Sequence, residues 1–243
     1  MRILLFANTD WYIYNFRRSL AESLRAAGHD VLLVSPPGPY GQRLVELGFR
    51  WIVAPMSRRS LNPMRELYLI LWLRRLMKQE RIGLVHGFTI KYAVYSSLAA
   101  RLTPVPMRVS AVTGLGYVFS SGDRLARLLR PALRALLRFA LSGRGTRLIL
   151  QNPDDVRLFI ASGLVAPDKI RLIAGSGVDC ARFAPLADPA TMPDDGRPFR
   201  IVLPARLLWD KGLAEYAEAA RLLLSKALPI EFLLAGTPDS GNP

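Results

Sequence analysis

Short runs rich in Val, Ile and Leu recur at regular intervals from the first residues of this chain, with stretches of helical periodicity between them. The runs cover Ile3 to Ala7, Val31 to Ser35, Trp51 to Pro55, Leu84 to Gly87, Val109 to Val112, Leu148 to Gln151 and Ile170 to Ala174. Helical patterns cover Phe16 to Ala27, Met64 to Gln79 and Asp154 to Ser162. Strand and helix in regular turn predict an α/β fold on a parallel sheet with both faces covered, since parallel strands need a crossover that packs back onto the sheet. Ligands of such sheets gather at the carboxyl ends of the strands. Asn8 to Tyr14, His86 to Lys91, Thr113 to Phe119 and a turn at Gly175 all fall there.

The opening Arg2, Ile3, Leu4, Leu5, Phe6, Ala7 is nearly repeated by Arg200, Ile201, Val202, Leu203, Pro204, Ala205, so a strand that starts one α/β unit restarts another. Residues 1–182 are therefore expected to form a Rossmann-like amino-terminal domain. Residues 183–199, with Pro185, Pro189, Pro193, Gly196 and Pro198, read as a connection. Residues 200–243 read as the beginning of a second Rossmann-like domain: a strand, a helix from about Leu213 to Lys226 and a strand from Ile230 to Ala235. Two strands and one helix do not close a sheet of their own.

Half of the 243 residues are apolar, ample for a packed core. The strongest apolar run, Leu67 to Leu73, is broken by Arg74 and Arg75, far short of a membrane span. Ile3 to Ala7 is too short for a signal peptide, and the single Cys180 fits a reducing cytoplasm. A net charge of +14 demands an anionic partner: nucleic acid, a membrane surface or a phosphorylated substrate. Between Arg124 and Arg147 stand seven arginines and no acid. Arg124, Arg127, Arg130, Arg134 and Arg138 share one side of a helix, with Leu125, Leu128, Leu129, Leu133, Leu136 and Phe139 expected on the other. This is either a crossover helix with a solvated basic face or a peripheral contact with anionic lipid. Nucleic acid is disfavoured, because Leu and Ala stand between the arginines where stacking aromatics would be expected.

A glycine-rich turn, Gly175, Ser176, Gly177, Val178, Asp179, precedes the second strand set, whose first strand leads to Arg206, Lys211 and Gly212. Backbone N–H groups of a turn without side-chain bulk approach a ligand closely, and a guanidinium with an ammonium five residues on grips a diphosphate. The competing reading makes Arg206 and Lys211 surface charge. Gly114 and Gly116 fail the dinucleotide fingerprint, since Phe119 stands where a third glycine belongs, so that stretch reads as a loop bearing Tyr117 and Phe119. No Ser, His, Asp arrangement and no zinc-ligand pattern is present.

Ser57 to Pro63, Thr113 to Tyr117, the Gly175 turn and Ala205 to Gly212 together resemble the retaining GT-B glycosyltransferases of family 4. Within it they look most like bacterial enzymes that extend an undecaprenyl-diphosphate-linked sugar, of the N,N'-diacetylbacillosaminyl-diphospholipid galactosaminyltransferase type. The resemblance implies transfer of a hexose or N-acetylhexosamine from a UDP-sugar to a polyprenyl-diphosphate-linked glycan at the inner face of the cell membrane. By it, Arg206 and Lys211 bind the donor diphosphate in place of a metal ion, and no cofactor is implied. His86 would hydrogen-bond donor hydroxyls or be a structural histidine, and Lys91 would meet the acceptor phosphate. From their position after the first strand, Asn15 and Arg17 either line the cleft or merely begin the first helix, and Gly114, Gly116 and Tyr117 form either an acceptor loop or a plain turn. Family members carry two further glutamates and ribose- and base-binding residues beyond the last residue of this sequence, so this polypeptide alone is expected to be inactive. The alternative is a non-catalytic module that binds lipid phosphate or membrane.

Overall fold

The computed structural model describes residues 1–56, 62–112, 124–185, 196, 198–226 and 228–237, with the side chains of 124–130 outside the description. The chain divides into two compact units, Met1–Phe183 and Ala184–Pro243.

The first unit is built on seven parallel strands: β1 (Arg2–Phe6), β2 (Asp30–Ser35), β3 (Arg50–Val53), β4 (Leu84–Phe88), β5 (Met107–Val112), β6 (Thr146–Leu150) and β7 (Ile170–Leu172). Their spatial order is β3-β2-β1-β4-β5-β6-β7. The chain thus builds outward from β1 in one direction, then returns to add β4 on its other side. That reversal leaves a crevice at the carboxyl ends of β1 and β4, where the crossovers diverge to opposite sides.

The helices are α1 (Asp10–Tyr12), α2 (Arg18–Ala26), α3 (Gly41–Glu46), α4 (Pro63–Gln79), α5 (Ile90–Arg101), α6 (Arg124–Leu141) and α7 (Pro153–Ala161). α4 and α5 cover the β1 and β4 side chains Leu4, Phe6 and Val85, and α5, α6 and α7 cover Val112, Leu148 and Leu150. The opposite face packs Leu5, Leu33 and Phe88 against α2, α3 and the turn after β1. α5 lies over the centre of the sheet, with Tyr92, Ala93, Val94, Ser96, Ser97, Ala99 and Ala100 all buried. It descends so close to β4 that a Cβ on Gly87 would come within 2.3 Å of Ser96 Oγ.

Lys91 stands in the first turn of α5. One expectation about a helix needs correction. On α6, Leu136 and Phe139 are exposed, beside exposed Arg134 and Arg138, while Leu137, Ala140 and Leu141 make the core contact. A core stripe on Leu133, Leu137, Ala140 and Leu141 keeps the 3–4 spacing and leaves Leu136 and Phe139 on the outer side.

The second unit pairs β8 (Phe199–Pro204) with β9 (Ile230–Ala235) in parallel, joined through α8 (Leu213–Leu224). Tyr216 of α8 sets its phenol oxygen 2.8 and 2.9 Å from the carbonyl oxygens of Ile201 and Leu233, anchoring helix to sheet.

Candidate functional site

The crevice between β1 and β4 is shaped by an unusual turn. After Thr9 caps α1 through its hydroxyl, the chain runs through one π-helical turn, Ile13–Arg17, before α2. A π turn inserts extra backbone into a helix and is frequent at functional sites. Buried Asp10 fixes its entry: one carboxylate oxygen accepts from Trp11 N, the other from Tyr40 N at 2.6 Å and Gly41 N at 2.8 Å. The π turn sends Ile13 and Arg17 inward and leaves Asn15 outside.

Arg17 is only 8% exposed. Its guanidinium donates to Tyr12 Oη at 2.7 Å and lies over the rings of Phe88, 4.5 Å away, and Tyr12. Among the described residues no carboxylate pairs with it, and its Nε–H has no acceptor. His86 of β4 stacks on Phe88 at 4.1 Å, and its Nε2 is also buried without a partner. Burial first, and the Arg17 charge second, push the imidazole down to about 3, so it is neutral at physiological pH. A third buried polar atom at this edge, Asn8 Oδ1, is likewise unmatched. Buried polar groups are nearly always satisfied, so these three call for a water or a polar ligand as partner.

Thr89, just past β4, adds backbone strain. It sits at φ 62°, ψ 157°, a region occupied almost only by glycine. Such a conformation costs about 1–3 kcal/mol, and strain of this kind concentrates at ligand sites. Thr89→Gly is therefore expected to raise the free energy of unfolding by about 1 kcal/mol after the added flexibility of glycine is set against the relief. Urea denaturation measures it, and an unchanged or lowered midpoint would contradict the strain.

The structure brings three other expected residues together. Asn15 shares a polar recess of about 310 Å³ with Val178 and Asp179 from the glycine turn, closed by Tyr14, Arg18 and Arg182. Gly175 and Gly177 both stand at φ 76°, left-handed backbone that favours glycine, and a Cβ on either would touch nothing within 4 Å, so conformation rather than crowding calls for glycine. Ser176 is exposed beside them. Lys91 is held elsewhere: its Nζ lies 2.9 Å from Glu66 of α4 and 5.5 Å from the Tyr95 ring centre. A phosphate at Lys91 would have to displace that carboxylate.

In the second unit, exposed Arg206 follows β8, and Lys211 ends a 3₁₀ turn, Trp209–Lys211, with its Nζ 3.6 Å from Asp210. Gly212, at φ 80°, opens α8 without a side-chain cap, leaving the helix N-terminal N–H groups available to an anion. Gly114, Gly116 and Tyr117 lie outside the described residues, as do the side chains of Arg124, Arg127 and Arg130. Sequence reasoning missed Tyr12, Phe88 and Thr89. Their only signal was position, at the ends of β1 and β4.

Comparison with known proteins gives the family and the fold. Residues 15–176 match the glycosyl transferase 4-like domain. The chain is 28% identical over its full length to N,N'-diacetylbacillosaminyl-diphospho-undecaprenol alpha-1,3-N-acetylgalactosaminyltransferase of Campylobacter jejuni, covering 65% of that protein. It is 27% identical to UDP-Gal:alpha-D-GlcNAc-diphosphoundecaprenol alpha-1,3-galactosyltransferase of Escherichia coli, over 81% of this chain and 50% of the relative. The chain thus spans half to two thirds of the length of these relatives. Among solved structures, a glycosyltransferase from Rickettsia africae superposes with a TM-score of 0.68 at 19% identity, over 97% of this chain and 60% of that one. Anabaena HepE in complex with UDP and glucose superposes with a TM-score of 0.63 at 15% identity, over 98% and 62%. The fold is α/β of the GT-B type. With a seven-stranded sheet reversing between β1 and β4 and a family match that begins inside the π turn and ends in the glycine turn, the chain belongs to the glycosyl transferase 4-like family.

Proposed function

We propose that this chain is the acceptor-binding part of a glycosyltransferase that moves a hexose or N-acetylhexosamine from a UDP-sugar to a polyprenyl-diphosphate-linked glycan. The observation that carries the reading is Arg17, a guanidinium buried at the sheet's reversal point with aromatic rings and a phenol around it and no carboxylate among the described residues. A buried cation is costly unless an anion meets it. A phosphate of the acceptor supplies that anion, which moves the expected phosphate contact from Lys91 to Arg17. Neutral His86 exchanges hydrogen bonds with sugar hydroxyls, and Asn15 with the Gly175 turn holds further polar groups of the substrate.

In the reaction, an acceptor hydroxyl oxygen bonds to the anomeric carbon of the donor while the bond from that carbon to the diphosphate oxygen breaks. UDP departs with the electron pair, and the hydroxyl proton leaves with it. Arg206, Lys211 and the uncapped start of α8 stabilise the charge on the leaving diphosphate, the task a metal ion performs in other transferases. Retention of anomeric configuration belongs to the same reading. The exposed Arg134 and Arg138 of α6, with Phe139 beside them, hold the protein on the inner face of the cell membrane.

The test is a radiolabelled transfer assay with UDP-sugars and a polyprenyl-diphosphate-linked acceptor. It is run with this chain and with a chimera that adds the part of the Campylobacter relative this chain does not cover. Transfer by the chimera, abolished by Arg206→Ala, is the expected result. A folded chimera that binds UDP yet transfers no sugar from any common UDP-sugar contradicts the reading. A bilayer- or lipid-phosphate-binding module without catalysis is the second reading, favoured by the exposed basic and apolar side chains of α6. It requires vesicle binding with no UDP-dependent gain in thermal stability.

A further inference from the structure

We propose that Arg101 and Arg108, paired at the amino edge of the sheet, form a binding site for a small oxyanion of the phosphate class, either free phosphate or the phosphate end of a nucleotide. Arg101 is the last residue of α5, and Arg108 is the second residue of β5. The pair therefore lies about 13 Å along the strand from the carboxyl end of β5, on the opposite edge of the sheet from the crevice at β1 and β4. It stands whether or not the transferase reading holds.

The two guanidiniums converge under the turn that joins α6 to β6, where Gly143, Arg144 and Gly145 are exposed. Arg101 Nη2 donates to Ser142 O at 2.5 Å; Arg108 Nη2 donates to the same oxygen at 3.3 Å and to Arg144 O at 3.4 Å. The Phe139 ring, its centre 4.4 Å from the Arg101 guanidinium carbon, helps to hold that group in place. Gly143 passes over the pair at φ 107°, and a Cβ there would lie 3.2 Å from Nη2 of both arginines. Glycine thus keeps side-chain bulk off the two cations from the solvent side.

The charge here is unbalanced. Arg108 is only 7% exposed; burial first, and the Arg101 charge second, push its guanidinium below the ordinary value. Arg108 Nη1 and Arg101 Nε are both buried without an acceptor. Among the described residues, the acceptors of both side chains are main-chain carbonyls and neither pairs with a carboxylate. The local sequence offers little else: Asp123 is the single acidic residue between Glu80 and Asp154, and it lies outside the described residues. Arg144 on the same turn adds a further positive charge, and so does Arg74, whose Nε donates to Leu102 O at 3.1 Å. The carbonyl ends of α5 and α6 supply roughly half a negative charge each, against full charges on the arginines. A water would accept from the unmatched N–H groups but brings no charge. A phosphate brings both, and its three oxygens can be shared between two guanidinium forks, whereas the two coplanar oxygens of a carboxylate match one.

Nitrogen-15 NMR of the arginine Nε–H resonances tests the proposal on the native chain, with inorganic phosphate, UDP, uridine and potassium chloride at matched ionic strength as separate titrants. Phosphate is expected to shift Arg101 Nε–H saturably in the millimolar range. At about ten times its dissociation constant it is expected to raise the melting temperature by about 3 °C or more, while uridine and chloride do neither. Tighter saturation of the same resonance by UDP identifies a nucleotide as the source of the phosphate; saturation by phosphate alone identifies the free ion. Arg101→Met and Arg108→Met are each expected to weaken the phosphate response of the melting temperature about tenfold or more in concentration. Arg43→Met, exposed on α3 across the sheet, is expected to keep the native response. An Arg101 Nε–H that stays unmoved at tens of millimolar phosphate, a melting-temperature gain that chloride reproduces, or a native phosphate response in both Arg101→Met and Arg108→Met would each overturn the proposal.

Discussion

Arg17→Met is expected to leave the protein as stable as the native chain or up to about 2 kcal/mol more stable, while weakening binding of a diphosphate-linked acceptor about 100-fold or more. Methionine keeps much of the volume and slides between the Tyr12 and Phe88 rings, where sulfur is well tolerated. It gives up one hydrogen bond to Tyr12 Oη, worth about 1 kcal/mol, and the cation–π contacts, worth on the order of 1–2 kcal/mol. Against this stands the desolvation of a charge with an unmatched Nε–H, several kcal/mol in a buried site. An arginine kept for structure would show the opposite sign. Loss of one charge-assisted contact to an anion in a water-poor site costs about 3 kcal/mol or more, roughly a hundredfold in affinity. Urea denaturation and acceptor titration on the same variant read both numbers, and a variant less stable by several kcal/mol with unchanged affinity would sink the assignment.

His86 is expected to write its own signature into the pH dependence of stability. Its folded pKa of about 3 lies below the unfolded value near 6.5, so between those pH values the unfolded chain binds a proton that the folded chain refuses. Stability is fully present above pH 6.5 and falls as the pH is lowered, by about 2 kcal/mol between pH 7 and pH 5. Carboxylates contribute mainly below pH 5, and His29 is the only other histidine in the chain, so this window reports on imidazole. In His86→Gln the drop between pH 7 and pH 5 is expected to shrink to a few tenths of a kcal/mol. A native protein whose stability is flat through that interval would contradict the neutral, enclosed imidazole. Arg17→Met, by removing a nearby positive charge, is expected to raise the folded-state pKa of His86 and so to end the decline at a higher pH, coupling the two experiments.

The strands were legible because a parallel strand covered on both faces is a short apolar run, as in β1 and β2, and the more exposed β3 and β7 at the sheet edges still keep apolar residues. Ile90–Arg101 escaped for a related reason. A helix buried nearly all round has no polar side, so its small residues show no 3.6-residue contrast. Leu136 and Phe139 were placed on the wrong side of α6 because an arginine stripe fixes only where charge lies, and the apolar remainder is wider than the core needs. At the site, the carboxyl-edge rule pointed to the segments around Asn15, Arg17, His86 and the Gly175 turn. What sequence could not give is which cations are already neutralised. Lys91 and Arg17 look alike as letters, yet Glu66, distant in sequence, claims one, while rings from β4 and α1 surround the other. The π turn and the Thr89 conformation are equally silent in sequence, since neither carries a glycine or proline to announce it.

The central claim is that an acceptor phosphate binds at the β1 and β4 edge against Arg17. Nitrogen-15 NMR of the arginine Nε–H and histidine ring resonances during titration with a short-chain polyprenyl-diphosphate-linked sugar tests it directly. The account requires a saturable shift of Arg17 Nε–H, accompanied by His86, at the same ligand concentration. Saturable binding that leaves both unmoved, with shifts confined to surface arginines such as Arg134 and Arg138, would contradict it.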